Sequence, residues 1–264
     1  MKPTQMEEYL FDLRGYLVLK NAVDPSHLEA LNAILDTYMD LEPDAWRGWV
    51  YRARHEPVRH LHNIFEMGEP FERLIDHPSW MDHMNRFVGG DDGLFIDESF
   101  LDVRGKSGST RMHSGAHKRR IRTQFRFHNN AFRCGQINIL LALKDVGPGD
   151  GATMVIPGSH KSNLLHPAFE DPEEHGANKS LDRIEAAVQV QLEAGDAAFF
   201  VDCLAHGSSM RINEGERRIA IIRYGPQWGS DRYGFQPSPE LLGRLTPPRR
   251  KIVQPLSPKR PPQE

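Results

Sequence analysis

Apolar positions change their period about a third of the way along the chain. In the N-terminal part they recur at helical spacing. Thr4 and Glu7 have the spacing of a capping box and open a short helix. Tyr16-Leu17-Val18-Leu19 is a run of β-formers and predicts a strand. Asp24 before Pro25 marks a helix start with proline in the first turn, and Leu28, Leu31, Ile34, Leu35 and Tyr38 then share one face. A second capping box, Ser79 to Asp82, is expected to open the helix WMDHMNRFV, which stops at Gly89-Gly90. The first third therefore reads as helical, with His60-Leu61-His62 inside it.

From about residue 94 short runs of β-formers alternate with Gly, Pro, Asn and Asp. The candidate strands are LFIDESFLDV, TQFRFH, GQINILLALKDV, ATMVIPG, VQVQLEAG, DAAFFVDC and RRIAIIRYG. The expectation is a mainly β chain with helices: a barrel or sandwich braced by N-terminal α-helices rather than βαβ units. On GQINILLAL the period of two places Gln136, Asn138 and Leu140 on one face, either toward the barrel interior or toward solvent. From Thr246 the chain is rich in proline and basic residues and too poor in apolar ones to offset its ordering entropy. One domain is expected over 1–245 and a tail over 246–264.

Composition narrows the class. The 264 residues carry 33 Lys+Arg against 36 Asp+Glu, a formal net charge of −3, with 39% hydrophobic residues. That is ordinary for a soluble globular protein, and it argues against bulk nucleic acid as a partner. No apolar run is long enough to span a bilayer, and the N-terminus has no apolar signal region, so a cytoplasmic protein is expected. Cys134 and Cys203 are the only cysteines, which excludes a disulfide scaffold and a cysteine-rich zinc site. Neither GxGxxG nor GxxxxGK[ST] occurs. The 13 histidines raise the question of a metal.

Four segments of the β-rich part carry the chemistry: Met112-His113-Ser114-Gly115, DVGPGDGATMVIPGSHK over 145–161, GDAAFF leading into Ala205-His206-Gly207-Ser208, and Arg217 eleven residues beyond His206. Two histidines can share iron, zinc or copper, and an arginine fork one strand further on suits a carboxylate. A histidine at a strand end is also a common packing residue. These strings, together with Gly15-Tyr16-Leu17-Val18-Leu19 and the helix after it, resemble the phytanoyl-CoA dioxygenase family over about residues 7–228. The resemblance implies a double-stranded β-helix (jelly roll, cupin-like). It also implies oxidation that depends on Fe(II), 2-oxoglutarate and O2. By the same resemblance His113 and His206 would be metal ligands, Arg217 would bind the distal carboxylate of 2-oxoglutarate, and Ser208 would hydrogen-bond that carboxylate. Asn138 is a candidate cosubstrate contact if its face is the inner one. His160, in PGSHK, would be a structural turn residue.

The family's first motif is His-x-Asp, whose aspartate completes the facial triad. Here the triplet is His113-Ser114-Gly115, and glycine has no side chain to offer. Three readings compete. In the first, the protein is a halogenase: chloride takes the position left by the carboxylate, next to Gly115, and a C–H bond is chlorinated. Bacterial relatives that chlorinate a nucleoside monophosphate are similar in this respect. In the second, the protein is a hydroxylase that borrows Asp97, Glu98 or Asp102, or keeps water there. In the third, it is a non-catalytic binding module; that reading gives the two histidines and the arginine no clear use.

The substrate clue is local charge. Lys118, Arg119, Arg120, Arg122 and Arg126 crowd the ten residues after the histidine motif. Arg119, Arg120 and Arg122 are candidate contacts to a phosphate or carboxylate, or else a solvated strand edge. Arg52, Arg54 and Arg59, with His55, His60 and His62, form a second basic region. Trp228 is either pocket lining or core. A small anionic substrate is expected, with a (deoxy)nucleoside monophosphate as the candidate; a CoA thioester also carries phosphates.

Overall fold

The computed structural model of the chain describes residues 2–55, 57–89, 93–106, 108–169, 184–229, 239–247 and 249. The expected tail falls almost wholly outside them.

Local chemistry sets the first elements. Helix α1 (Gln5–Arg14) is capped as expected: the Thr4 hydroxyl accepts from the Glu7 N–H at 3.2 Å, and the Glu7 carboxylate accepts from the Thr4 N–H at 2.7 Å. The helix ends at Gly15, whose φ of 81° is the left-handed conformation of a helix stop. In α2 (Pro25–Asp36) the Asp24 carboxylate accepts from the His27 N–H at 2.9 Å. A single turn, α3, covers Glu69–Glu72. Helix α4 (Pro78–Met84) begins two residues earlier than expected, and the Ser79–Asp82 capping box does not form. His77 caps it through Nδ1, while the Ser79 hydroxyl donates to the Ala22 carbonyl at 2.6 Å and ties the helix to the turn before α2.

The strands are β1 (Tyr16–Leu19), β2 (Trp46–Arg47), β3 (Val50–Ala53), β4 (Val58–His62), β5 (Leu94–Arg104), β6 (Thr110–His113), β7 (Phe127–His128), β8 (Ala131–Phe132), β9 (Ile137–Ala142), β10 (Thr153–Val155), β11 (Val188–Val190), β12 (Ala197–Val201), β13 (His206–Ser208) and β14 (Arg217–Pro226). Eight form one antiparallel sheet in the order β1-β12-β9-β14-β5-β4-β3-β2, and four form a second in the order β11-β10-β13-β6. The two sheets face each other as a double-stranded β-helix. The helical reading of the first third fails over 46–62. There β3 alternates buried and half-buried residues, and β4 pairs with β5 and widens the large sheet.

All six residues of β9 are buried, because both faces of the large sheet are covered. Asn138 and Leu140 face the other sheet; the alternate residues point to the helices. On that helical side Phe11 stacks on Phe87 at 4.1 Å and meets Phe199 of β12 at 5.7 Å. Phe200, one residue on, points inward. Among the described residues no helix is long and apolar enough to cross a membrane.

The PGSHK turn locks onto α1. His160 is buried with Nε2 3.0 Å from the Asp12 carbonyl, and burial lowers its pKa to about 4. Its ring lies where a side chain at position 15 would grow: a Cβ on Gly15 would meet Nδ1 at 2.5 Å. Gly15→Ala should therefore cost about 1–3 kcal/mol, from strain at positive φ plus displacement of the ring; denaturant unfolding measures it. A histidine titrating near 6.5 when unfolded and near 4 when folded contributes stability that is fully present above about pH 6.5 and is lost as pH falls toward 4. His160→Gln should flatten the pH dependence of unfolding free energy across that window.

Candidate active site

The inner faces of the two sheets enclose a cavity of about 180 Å³. At one end β6 and β13 pair antiparallel with His113 directly opposite His206, their ring centroids 4.1 Å apart. Each ring is held through Nδ1 by a carbonyl two residues earlier: Arg111 for His113 at 2.9 Å, Leu204 for His206 at 2.7 Å. A carbonyl only accepts, so Nδ1 carries the proton and the Nε2 lone pair is left for a metal. Burial lowers both pKa values, and for His206 the neighbouring His113 lowers it further. Both rings are therefore neutral at neutral pH, which is the form that ligates.

Among the described residues no third His, Cys, Asp or Glu joins this pair to make a metal-holding group. Each carboxylate considered as a substitute is engaged elsewhere. Asp97 pairs with Arg122 and accepts from Gln136 at 3.0 Å. Glu98 pairs with Arg223 at 2.7 Å and His62 at 3.4 Å. Asp102 lies between two arginines. Gly115 has φ +109°, and a Cβ there would meet the His117 ring at 2.6 Å. It borders a recess of about 360 Å³ shared with Ile156 and with Pro157 of the PGSHK turn, and is not among the residues lining the cavity.

The other end of the cavity is a buried cationic floor. Arg217, at the start of β14, donates from Nη1 to Asp102 Oδ1 at 3.1 Å and from Nη2 to the Thr153 hydroxyl at 3.3 Å. Its Nε is buried with no partner among the described residues. Arg104 donates from Nη2 to Asp102 Oδ2 at 3.1 Å and from Nη1 to Ser208 Oγ at 2.6 Å. Burial alone would raise the Asp102 pKa, but Arg217, His60 and Arg104 outweigh it and hold the carboxyl below the usual range. Burial lowers Arg217 to about 10, which leaves it charged at neutral pH. Ser208 thus lies in the floor, bonded to Arg104 rather than Arg217. Asn138 also faces the cavity; its Nδ2 donates to Asp202 at 2.9 Å, and its Oδ1 is buried without a partner among the described residues. Neutral imidazoles at one end and spare guanidinium donors at the other fit a divalent metal and an elongated dicarboxylate.

The basic run lies elsewhere. Its residues form two 3-10 turns rather than a strand, Ala116–Lys118 and Ile121–Thr123. Arg119, Arg120 and Arg122 are exposed, Arg122 is paired with Asp97, and none lines the cavity. In the second basic region Arg52 donates to the Leu41 carbonyl at 2.6 Å and Arg54 pairs with Asp44 at 2.7 Å, whereas the stacked rings of His55 and His60 do reach the cavity wall. The side chain of Trp228 lies outside the described part of the structure. Arg104, Arg223 and Thr153 were not singled out from the sequence. The available signal was period two on β5, where Glu98, Phe100, Asp102 and Arg104 alternate along one face.

Removing the anion from this floor should unfold the protein more readily. Asp102→Ala leaves two buried guanidiniums side by side and should cost about 3–5 kcal/mol in chemical denaturation.

The comparisons with known proteins agree with this architecture. Over 118 residues the chain is 30% identical to Dioxygenase cdmD of Talaromyces verruculosus, covering 44% of the chain and 35% of that protein. Over 90 residues it is 33% identical to a probable phytanoyl-CoA dioxygenase of Caenorhabditis elegans, covering 31% of the chain and 28% of that protein. The chain thus spans about a third of the length of these relatives. Among solved structures, HygX from Streptomyces hygroscopicus, with nickel and 2-oxoglutarate bound, superposes with a TM-score of 0.72 at 22% identity, over 86% of this chain and 88% of that one. The family pattern described as phytanoyl-CoA dioxygenase (PhyH) matches residues 11–219, and the chain belongs to that family.

Proposed function

We propose that residues 1–245 form an Fe(II)- and 2-oxoglutarate-dependent oxidoreductase that chlorinates an unactivated C–H bond of a small anionic molecule. The observation that carries the choice of halogen is the His113–His206 pair facing the cavity with no third protein ligand among the described residues. Iron with 2-oxoglutarate and O2 supplies the oxidising power to take hydrogen from carbon. The protein's part is positioning. His113 and His206 hold the metal through Nε2. Arg217 takes the distal carboxylate of 2-oxoglutarate with Ser208 and Thr153 beside it, and Asn138 flanks the cosubstrate. Phe100, Leu140, Phe200 and Ile221 exclude water from the space between. Chloride beside Gly115 would restore the negative charge that an aspartate ligand supplies.

For the substrate, Arg223 is a cation on the cavity wall whose charge reaches both histidines. Arg119, Arg120 and Arg122 on the adjoining loop add a field that draws anions in. A (deoxy)nucleoside monophosphate is the first candidate. Cys134 and Cys203 are both unpaired, in keeping with a cytoplasmic location. Hydroxylation, with water in the third position, is the second reading; it is favoured by the dioxygenase names of the relatives.

The deciding experiment adds chloride to the anaerobic protein loaded with Fe(II), 2-oxoglutarate and a deoxynucleoside monophosphate, and follows the iron–oxoacid absorption band. A saturable change is expected, followed on exposure to O2 by chlorinated deoxynucleoside monophosphate in the mass spectrum. Only hydroxylated product at high chloride would overturn the halogenase reading. Gly115→Asp should abolish chlorination, whereas Gly115→Ala, equally strained in backbone but without a carboxylate, should still show it.

A further inference from the structure

We propose that Arg104, which does not itself line the cavity, is the positioning residue that makes the floor select a 2-oxo acid bearing a distal carboxylate. The inference rests on the iron and 2-oxoglutarate reading and adds to it the residue that sets cosubstrate choice.

A serine hydroxyl has one proton to donate and two lone pairs. Both lone pairs of Ser208 are spoken for: Arg104 Nη1 donates to Oγ at 2.6 Å and the Thr110 N–H donates to it at 3.0 Å. The only capacity left to Ser208 is its proton, and Ser208 lines the cavity. Arg104 Nη2 also donates to the Thr110 hydroxyl at 3.0 Å. The floor is therefore preset to donate, which suits a group that only accepts, such as an ionised carboxylate, and disfavours a group that only donates, such as an ammonium.

Charge gives the second half. Arg104 is 1% exposed and Arg217 3%, with Asp102 bridging them through separate oxygens. Two cations and one anion leave the floor a single positive charge in excess, which one more carboxylate neutralises. Without Arg104, the charge of Asp102 would fall wholly on Arg217 and leave nothing for an incoming acid. Arg217 still has a buried Nε without a partner among the described residues, so a donor remains when Asp102 is bound. The flanking groups on this cluster are His60, whose Nε2 is 3.8 Å from Asp102, and the hydroxyls of Thr110, Thr153 and Ser208.

The test compares two acids that share the metal-binding 2-oxo acid head and differ at the far end: 2-oxoglutarate, with a distal carboxylate, and pyruvate, without one. Dissociation constants for each are read from the absorption band of the Fe(II)-loaded protein under anaerobic conditions. Arg104→Gln should weaken 2-oxoglutarate by about tenfold or more and leave pyruvate within about twofold. Arg104→Lys, which keeps the charge but not the fork, should lose less. Ser208→Ala should lose a few-fold on 2-oxoglutarate alone, and it carries the same comparison if Arg104→Gln does not fold. Equal losses for both acids would assign Arg104 a merely structural role and overturn the proposal, as would no loss for either. Failure of the wild-type protein to bind either acid with iron would instead overturn the underlying functional reading.

Discussion

The site depends on one buried carboxylate. Asp102 joins β5 to β14 through Arg217, and through Arg104 the same cluster reaches Ser208 on β13 and Thr110 on β6. It is thus a polar link between the two sheets. A buried ion in isolation is costly to remove from water, and so is a buried pair that lacks further hydrogen bonds. Here each guanidinium also donates to hydroxyls, which reduces that cost. The arrangement is sustainable because both sheets contribute to it, and its excess positive charge is available to a ligand.

At the opposite end of the cavity burial acts in the other direction. At His113 and His206 desolvation outweighs the backbone acceptors and, for His113, the charge of Asp202, and keeps both rings neutral. The carbonyls of Arg111 and Leu204 then choose which nitrogen carries hydrogen. A cavity with neutral donors of lone pairs at one end and excess cation at the other is polarised along its length. A molecule with a chelating head and an anionic tail matches that polarity in one orientation only.

Gly115 shows how a missing side chain is built into the backbone. Its φ of +109° is a conformation that L side chains rarely adopt, and the space a Cβ would need is taken by His117. The absent carboxylate is therefore accompanied by a loop shaped around glycine. The basic residues that follow are carried by the same loop onto the surface, so their charge acts at a distance while Arg223 faces the cavity.

Much of this was legible in the sequence. The first capping box, the proline helix start and most of the strands from residue 94 onward, though not β6 and β13, follow from local periodicity, while the His113, His206 and Arg217 positions follow from the resemblance of their motifs to the family. The strands at 46–62 were hidden because two- to five-residue strands rich in arginine and histidine carry almost no period; only pairing with β5 makes them strands. Arg104 and Arg223 were hidden for a related reason. A charged residue in a strand reads as solvent-facing unless a partner on another strand accounts for it, and those partners, Ser208 and Glu98, lie 104 and 125 residues away. The sequence by itself determined which residue types could bind a metal and a carboxylate, because those are properties of single side chains. Only the tertiary structure decided which of them share one cavity, because register between strands far apart in the chain sets which faces meet.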